Sequence, residues 1–279
     1  MGLRGGSTAP RLAAPKGHGR CASFASEIVE ANHIPRNKGC VKRLRVQTWF
    51  RTCVAGVTMA LVQLQKEIVL CEELVSKIRF DKNSFAQHYK VGLFVTGIQK
   101  SNAIFLLLHH GAIAESRQLL RSLLEISIEL ELLNQDKDHK WNAQVSFAKD
   151  QLKTLGYAKM GNPFLHEIAC KMNIAEQEAI WKKKLEDAKQ MGGKDLRVSE
   201  KFQRLKRSHE YEALYASLSK SVHSSYAGVI HDAFEVDQEN GTFDVALYTE
   251  PSADSIELIA QTTCGCLSMA REAVGDLAR

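Results

Sequence analysis

The sequence predicts a mostly α-helical bundle with a small β-hairpin before the last helix. Three observations carry that expectation. Only five prolines interrupt 279 residues, and Leu, Ala, Lys and Glu are abundant, a composition that favours helix over sheet. From Met59 onward, apolar residues recur at spacings of three and four, the helical period. One stretch, 233–248, departs from it: FEV and FDVALY flank DQENGT, and Asn240-Gly241 is the best short hairpin signal in the chain.

In order, an amphipathic helix is expected over 59–78. A second opens at Asn83-Ser84, both plausible N-caps, and runs to His109, with Gly111 as a turn or C-cap. The chain then doubles back into a helix over 112–133, which makes a helical hairpin. A charged connector, 134–139, leads to a helix near 140–155. Asn162-Pro163 is a cap-then-proline start for FLHEIACKM, and a further helix over 175–191 ends at Gly192-Gly193. Residues 194–207 are basic and ambiguous. Helices over 208–230 and 255–278 complete the chain. No internal repeat of 20–50 residues is visible. The expected organisation is an extension, 1–58, and a helical bundle domain, 59–279, with a charged helical insertion at about 134–207.

The net charge of +5 is unevenly spread. Residues 1–58 hold ten Lys/Arg against Glu27 and Glu30, a balance of +8. The other residues hold 27 basic and 30 acidic groups, a balance of −3, so the overall charge is no argument that the folded part binds nucleic acid. The first 45 residues are Gly/Pro-rich, basic and without period. Three readings stand: an over-extended start with initiation at Met59, a basic tail for nucleic acid or anionic lipid, or a transit peptide. The best apolar run, 91–108, is interrupted by Gln99, Lys100, Ser101 and Asn102, and reads as a core helix rather than a membrane span. Seven scattered cysteines without a secretory signal point to the reducing cytoplasm. Cys264-Gly-Cys266 is too closely spaced for a usual zinc pair. His109-His110 do not share a helix face, and His139, His166 and His231 stand isolated as surface or packing residues. No metal and no cofactor is expected, and P-loop, GxGxxG, GxSxG and HExxH patterns are absent.

Candidate chemistry is confined to two polar lines. On a helical wheel with Ile113 at zero, Arg117, Arg121 and Glu125 fall at about 40°, 80° and 120°. They border the apolar arc, while Gln118, Ser122 and Glu129 form the outer face. A guanidinium aimed into an apolar arc needs a partner. In the helix expected over 208–230, Tyr215, Ser219 and His223 take the same angles relative to Tyr211. If the two apolar faces pack, both lines meet along one seam. The bland reading is a buried network in which Glu125 or the Tyr215 hydroxyl satisfies Arg117.

ESRQLLRSLLE, from Glu115 to Glu125, and YASLSKSVHSS, starting at Tyr215, resemble the uncharacterised bacterial family catalogued as domain of unknown function 5677. The resemblance covers about 59–278, with a poorly matching middle at 134–207. The family brings no activity with it. Its helical, Arg/Glu/Ser/His-bearing character is similar in outline to the HEPN helical domains, many of which are metal-independent RNases of toxin and phage-defence systems. That likeness implies an Arg and a following His with four to six residues between them. Arg11/His18 and Arg204/His209 fit this spacing, whereas His223 follows Lys220 and has no such Arg.

Two functions from different classes follow. In the first, the chain is a HEPN-like RNA-binding or RNA-cleaving protein, and if an enzyme then a metal-independent endoribonuclease. His223 is the general acid or base, Arg117 and Arg121 hold the scissile phosphate, and Glu125, Ser219 and Tyr215 complete the site. In the second, it is a non-catalytic helical interaction module in which the same residues form a buried structural network. RNA, a protein partner or a second copy are the expected partners, with no membrane.

Overall fold

The computed structural model describes residues 59–222, 234–237, 242–245 and 252–278. The extension at 1–58, His223 with the end of its expected helix, and the Asn240-Gly241 turn lie outside the described residues. The protein is mostly helical. Four long helices make its core: α1 (Met59–Val75), α2 (Phe85–His109), α3 (Ile113–Gln135) and α10 (Ala253–Val274). Each of α1, α3 and α10 packs against α2, and α10 also packs on α1 and α3. Leu64, Ile68, Phe94, Ile104, Leu120, Leu124, Leu130, Ala260 and Leu267 interdigitate in the centre, as the apolar spacing requires.

Local chemistry sets the ends of these helices. The Ser84 hydroxyl accepts from the Gln87 amide at 3.4 Å, satisfying one free N–H of the first turn of α2. Gly111 takes φ 73° between α2 and α3, a left-handed turn that glycine enters without steric cost. By length and composition α2 could cross a bilayer. In this structure Phe94, Ile98, Ile104 and Leu108 from α2 belong to the core.

The middle of the chain folds over the outer side of α3. Here α4 (His139–Lys159) packs on α6 (Ile174–Gln190), with a 3-10 turn (Pro163–Leu165) and the short α5 (His166–Lys171) between them. The Asn162 side chain caps that turn by accepting from the Phe164 amide at 3.0 Å. The end of α6 carries Gly192 at φ 86°, and the Gly193 amide donates back to the Ala188 carbonyl at 2.9 Å, a Schellman closure. A Cβ on Gly193 would sit 2.6 Å from the Trp141 carbonyl oxygen, so this turn lies tight against α4. The ambiguous 194–207 stretch contains a helix, α7 (Val198–Arg204), whose first turn is held by Glu200 accepting from the Arg197 amide at 2.6 Å.

The segment after α7 is helical in three pieces: α8 (Ser208–Glu210), a π-helical turn (Tyr211–Tyr215) and α9 (Ala216–Val222). In the π turn the Ala216 amide reaches the Tyr211 carbonyl, one residue further than in an α-helix. The strands β1 (Phe234–Asp237) and β2 (Thr242–Val245) pair antiparallel, with Phe234 opposite Val245 and Asp237 opposite Thr242.

One outer-surface expectation is corrected. Glu129, placed on the outer face of α3 by its wheel angle, is only 4% exposed, because the segments after α3 cover that side. Of the two readings of His139, surface or packing residue, the structure has the second: it is fully buried and bonded to Glu129.

Candidate functional site

The two polar lines meet where α9 and the π turn pack on α3. Tyr215 is the centre of the meeting. Its side chain is 5% exposed and sits in a small apolar cluster with Ile128, Leu132 and Phe202. Its hydroxyl donates to Glu125 Oε1 at 2.6 Å and accepts from Arg121 Nη2 at 2.9 Å. Arg121 and Glu125, one turn apart on α3, form an ion pair at 3.6 Å. The Arg121 guanidinium also lies 5.2 Å from the centre of the Tyr215 ring, a cation–π contact. Tyr211 stacks on Tyr215 at 5.3 Å and Phe202 tilts against it at 5.7 Å.

The electrostatics follow from this packing. Burial pushes the Tyr215 phenol above its ordinary range, and the bond to Glu125 pushes the same way, while Arg121 opposes both. The phenol therefore stays protonated and acts as a hydrogen-bond relay between a cation and an anion rather than as a base. Arg121 Nε is buried and unpaired among the described residues.

The other predicted residues take different positions. Ser219 is half-buried and donates to the Tyr215 carbonyl at 2.9 Å, a local bond within its own helix. Arg117 lies half-buried one turn before Arg121, with no hydrogen bond or ion pair to any described residue. His223 lies outside the described residues. Arg204 comes within 3.9 Å of Asp136, and His209 is exposed. A hollow of about 390 Å³ lined by Arg79, Phe80, Asp81, Gln87, Asp276 and Leu277 includes none of the six predicted residues.

A second polar network, more deeply buried, was not signalled by the wheel. His139 Nε2 lies 3.1 Å from Glu129 Oε1, and Lys201 Nζ lies 2.7 Å from Glu129 Oε2. Asn142 Nδ2 lies 3.2 Å from His139 Nδ1, and Asn142 Oδ1 accepts from the Lys194 amide at 2.8 Å. Burial pushes the Glu129 carboxyl up, but the His139 hydrogen bond and the nearby Lys201 cation outweigh it and hold the carboxyl below the usual range. Three residue types could have flagged this network: a Glu on α3, a His ten residues later, and a Lys in the basic stretch. Nothing local in the sequence says that α4 and α7 return to the same side of α3.

Of the four cysteines among the described residues, Cys170 is exposed, with its Sγ 3.3 Å from His166 Nε2, and the other three are held as neutral thiols. Burial pushes the Cys71, Cys264 and Cys266 thiols up to about 11, so each stays a neutral thiol near pH 7. No group of three or more His, Cys, Asp or Glu side chains able to hold a metal gathers among the described residues.

A family model described as "Family of unknown function (DUF5677)" matches residues 87–242, which span α2 to the start of β2 and hold both polar lines. No curated protein and no solved structure matches the chain.

Proposed function

The chain belongs to the family of unknown function DUF5677, and from that premise we propose that it is a non-catalytic helical protein-interaction module. Arg121, Glu125 and Tyr215 serve in it as a structural clasp between α3 and the helical segment that follows α7. The observation that carries the reading is the Tyr215 hydroxyl. It is buried, protonated, and bonded on one side to Glu125 and on the other to Arg121. A catalytic hydroxyl or carboxylate has to face a reacting atom. These groups face one another.

One observation favours RNA binding or cleavage as a second reading. Arg117, and the Nε of Arg121, have no partner among the described residues, and two adjacent guanidinium groups suit a phosphate. His223 then supplies the proton transfer. A paired measurement on His223→Ala separates the readings: thermal unfolding, and cleavage of RNA without added metal. The module reading expects that the wild-type chain cleaves no RNA. Metal-independent cleavage that falls about 10²–10⁴-fold in the variant at unchanged stability establishes the RNase reading instead.

A further inference from the structure

We infer that the seam between α4 and α6 is a docking track for single-stranded nucleic acid, in which partly exposed aromatic rings take bases and unpaired lysines take phosphates. The first observation is a charge division that the near-neutral total conceals. Residues 134–207 hold 16 Lys/Arg against 10 Asp/Glu, a balance of +6, and the rest of 59–279 holds 11 against 20, a balance of −9. The cationic part of the fold is therefore the segment from α4 to α7, not the four-helix core. A field divided in this way gathers polyanions at one part of the protein.

The second observation is where the aromatic rings lie. Among the described residues, every lysine–aromatic contact is on α4 or α6. Lys140 Nζ is 4.8 Å from the centre of the Trp141 ring, Lys153 Nζ 6.0 Å from that of Tyr157 and Lys184 Nζ 4.2 Å from that of Trp181. Phe147 meets Trp181 edge to face at 5.2 Å across the seam and stays 47% exposed. The contacts Trp141–Gly193, Phe147–Trp181 and Lys159–Glu178 run in opposite order along the two helices, so α4 and α6 are antiparallel. On a helical wheel Lys140 falls within about 20° of Phe147, and Lys184 within about 60° of Trp181. The two faces adjoin where Phe147 touches Trp181, which sets Lys140, Phe147, Trp181 and Lys184 along one seam.

The third observation separates these lysines from their neighbours. Lys149 pairs with Asp195, Lys159 and Lys182 with Glu178, and Lys171 with Glu167. Lys140, Lys153 and Lys184, the three beside rings, have no carboxylate partner among the described residues. A lysine resting over a ring can swing to a phosphate and uncover the ring face for a base. An acidic peptide would use the cations and leave the rings idle, and a duplex keeps its base faces stacked. Cations and rings together fit a single strand. None of these residues belongs to the Arg121–Glu125–Tyr215 clasp, so the track stands apart from that reading.

Binding of the full chain to labelled single strands of RNA and DNA of about 20 nucleotides, read by fluorescence anisotropy at stepped salt, tests the track. Wild type is expected to bind at about 50 mM salt and to lose affinity as salt rises. Tighter binding of one strand type supports the track and identifies the strand. The double variant Lys140→Glu/Lys184→Glu is expected to bind at least about tenfold more weakly, with a log–log salt slope flatter by about 1.4, the share of two phosphate contacts. Phe147→Ala is expected to weaken binding about five- to tenfold through lost stacking. Lys66→Glu/Lys77→Glu, the same charge change at α1, is expected to cost less than about twofold. No binding at about 50 mM salt overturns the track. So does unchanged affinity in the seam variants, which places binding in the basic extension or at Arg117, and so do equal losses in the seam and α1 variants. Displacement of the strand by polyglutamate, with Phe147→Ala silent, makes an acidic protein the partner and also overturns it. Circular dichroism checks the fold of each variant. If the double variant does not fold, Lys184→Gln, at an exposed position, decides by a slope flatter by about 0.7.

Discussion

Tyr215→Phe isolates the clasp from the core around it. The substitution keeps the ring, its packing on Phe202 and Tyr211, and the guanidinium face contact. It deletes only the hydroxyl, and with it the bonds to Glu125 and Arg121. Each such bond to a charged group is worth about 1.5–3 kcal/mol when fully buried. Here the Arg121 and Glu125 side chains are 23% and 40% exposed, so water replaces part of what is lost, and the two ions still have each other at 3.6 Å. The expected cost is therefore about 1–2 kcal/mol. Tyr215→Ala also empties ring volume from the cluster with Ile128, Leu132 and Phe202, and is expected to cost about 3–5 kcal/mol. Urea unfolding at neutral pH, followed by circular dichroism, measures both, and a melting shift of about 2–4 °C per kcal/mol accompanies them. A Phe variant within about 0.3 kcal/mol of wild type would refute the clasp, since the hydroxyl would then contribute nothing that water does not. Equal costs for Phe and Ala would show that the ring is not packed as described.

Other perturbations report on separate parts of the fold. Glu129→Gln leaves His139 and Lys201 without their anion and is expected to cost about 1–3 kcal/mol at neutral pH. The wild-type carboxyl lies below its ordinary range, so its contribution is complete above the unfolded value of about 4.3 and fades as pH falls through the folded value. Urea midpoints at stepped pH should therefore fall more steeply in wild type than in Glu129→Gln below about pH 4.5, and parallel curves would contradict the pairing. Gly193→Ala drives a Cβ to 2.6 Å from the Trp141 carbonyl and should destabilise by about 1–3 kcal/mol. Gly92→Ala on the open side of α2 meets nothing within 4 Å and should stabilise by about 0.5–1 kcal/mol; thermal unfolding of the pair tests the placement of both. Thiol alkylation near neutral pH, read peptide by peptide, should mark exposed Cys170 well before Cys71 and Cys266, both of which are buried neutral thiols. Equal labelling would mean that α1 and α10 open readily.

The helices of this protein are legible one at a time because their signals are local. The three-and-four spacing, Ser84 before α2, Gly111 after it and Gly192-Gly193 after α6 each act within a few residues of the backbone they shape. The same locality made Arg121, Glu125 and Tyr215 visible as lines, since residues four apart share a face of one helix. What the lines touch was decided elsewhere. Tyr215 reaches both Arg121 and Glu125 from a π turn that a regular wheel does not contain, and Arg117, at an equally suggestive angle, meets no partner among the described residues. Glu129 shows the limit most clearly. On its own helix it belongs to the polar side, and only the return of α4 and α7 across that side buries it against His139 and Lys201. A helix period reports which residues share a face. Whether water or another part of the chain covers that face depends on contacts between residues 10 to 72 positions apart, and those are chosen by the packing of the whole fold.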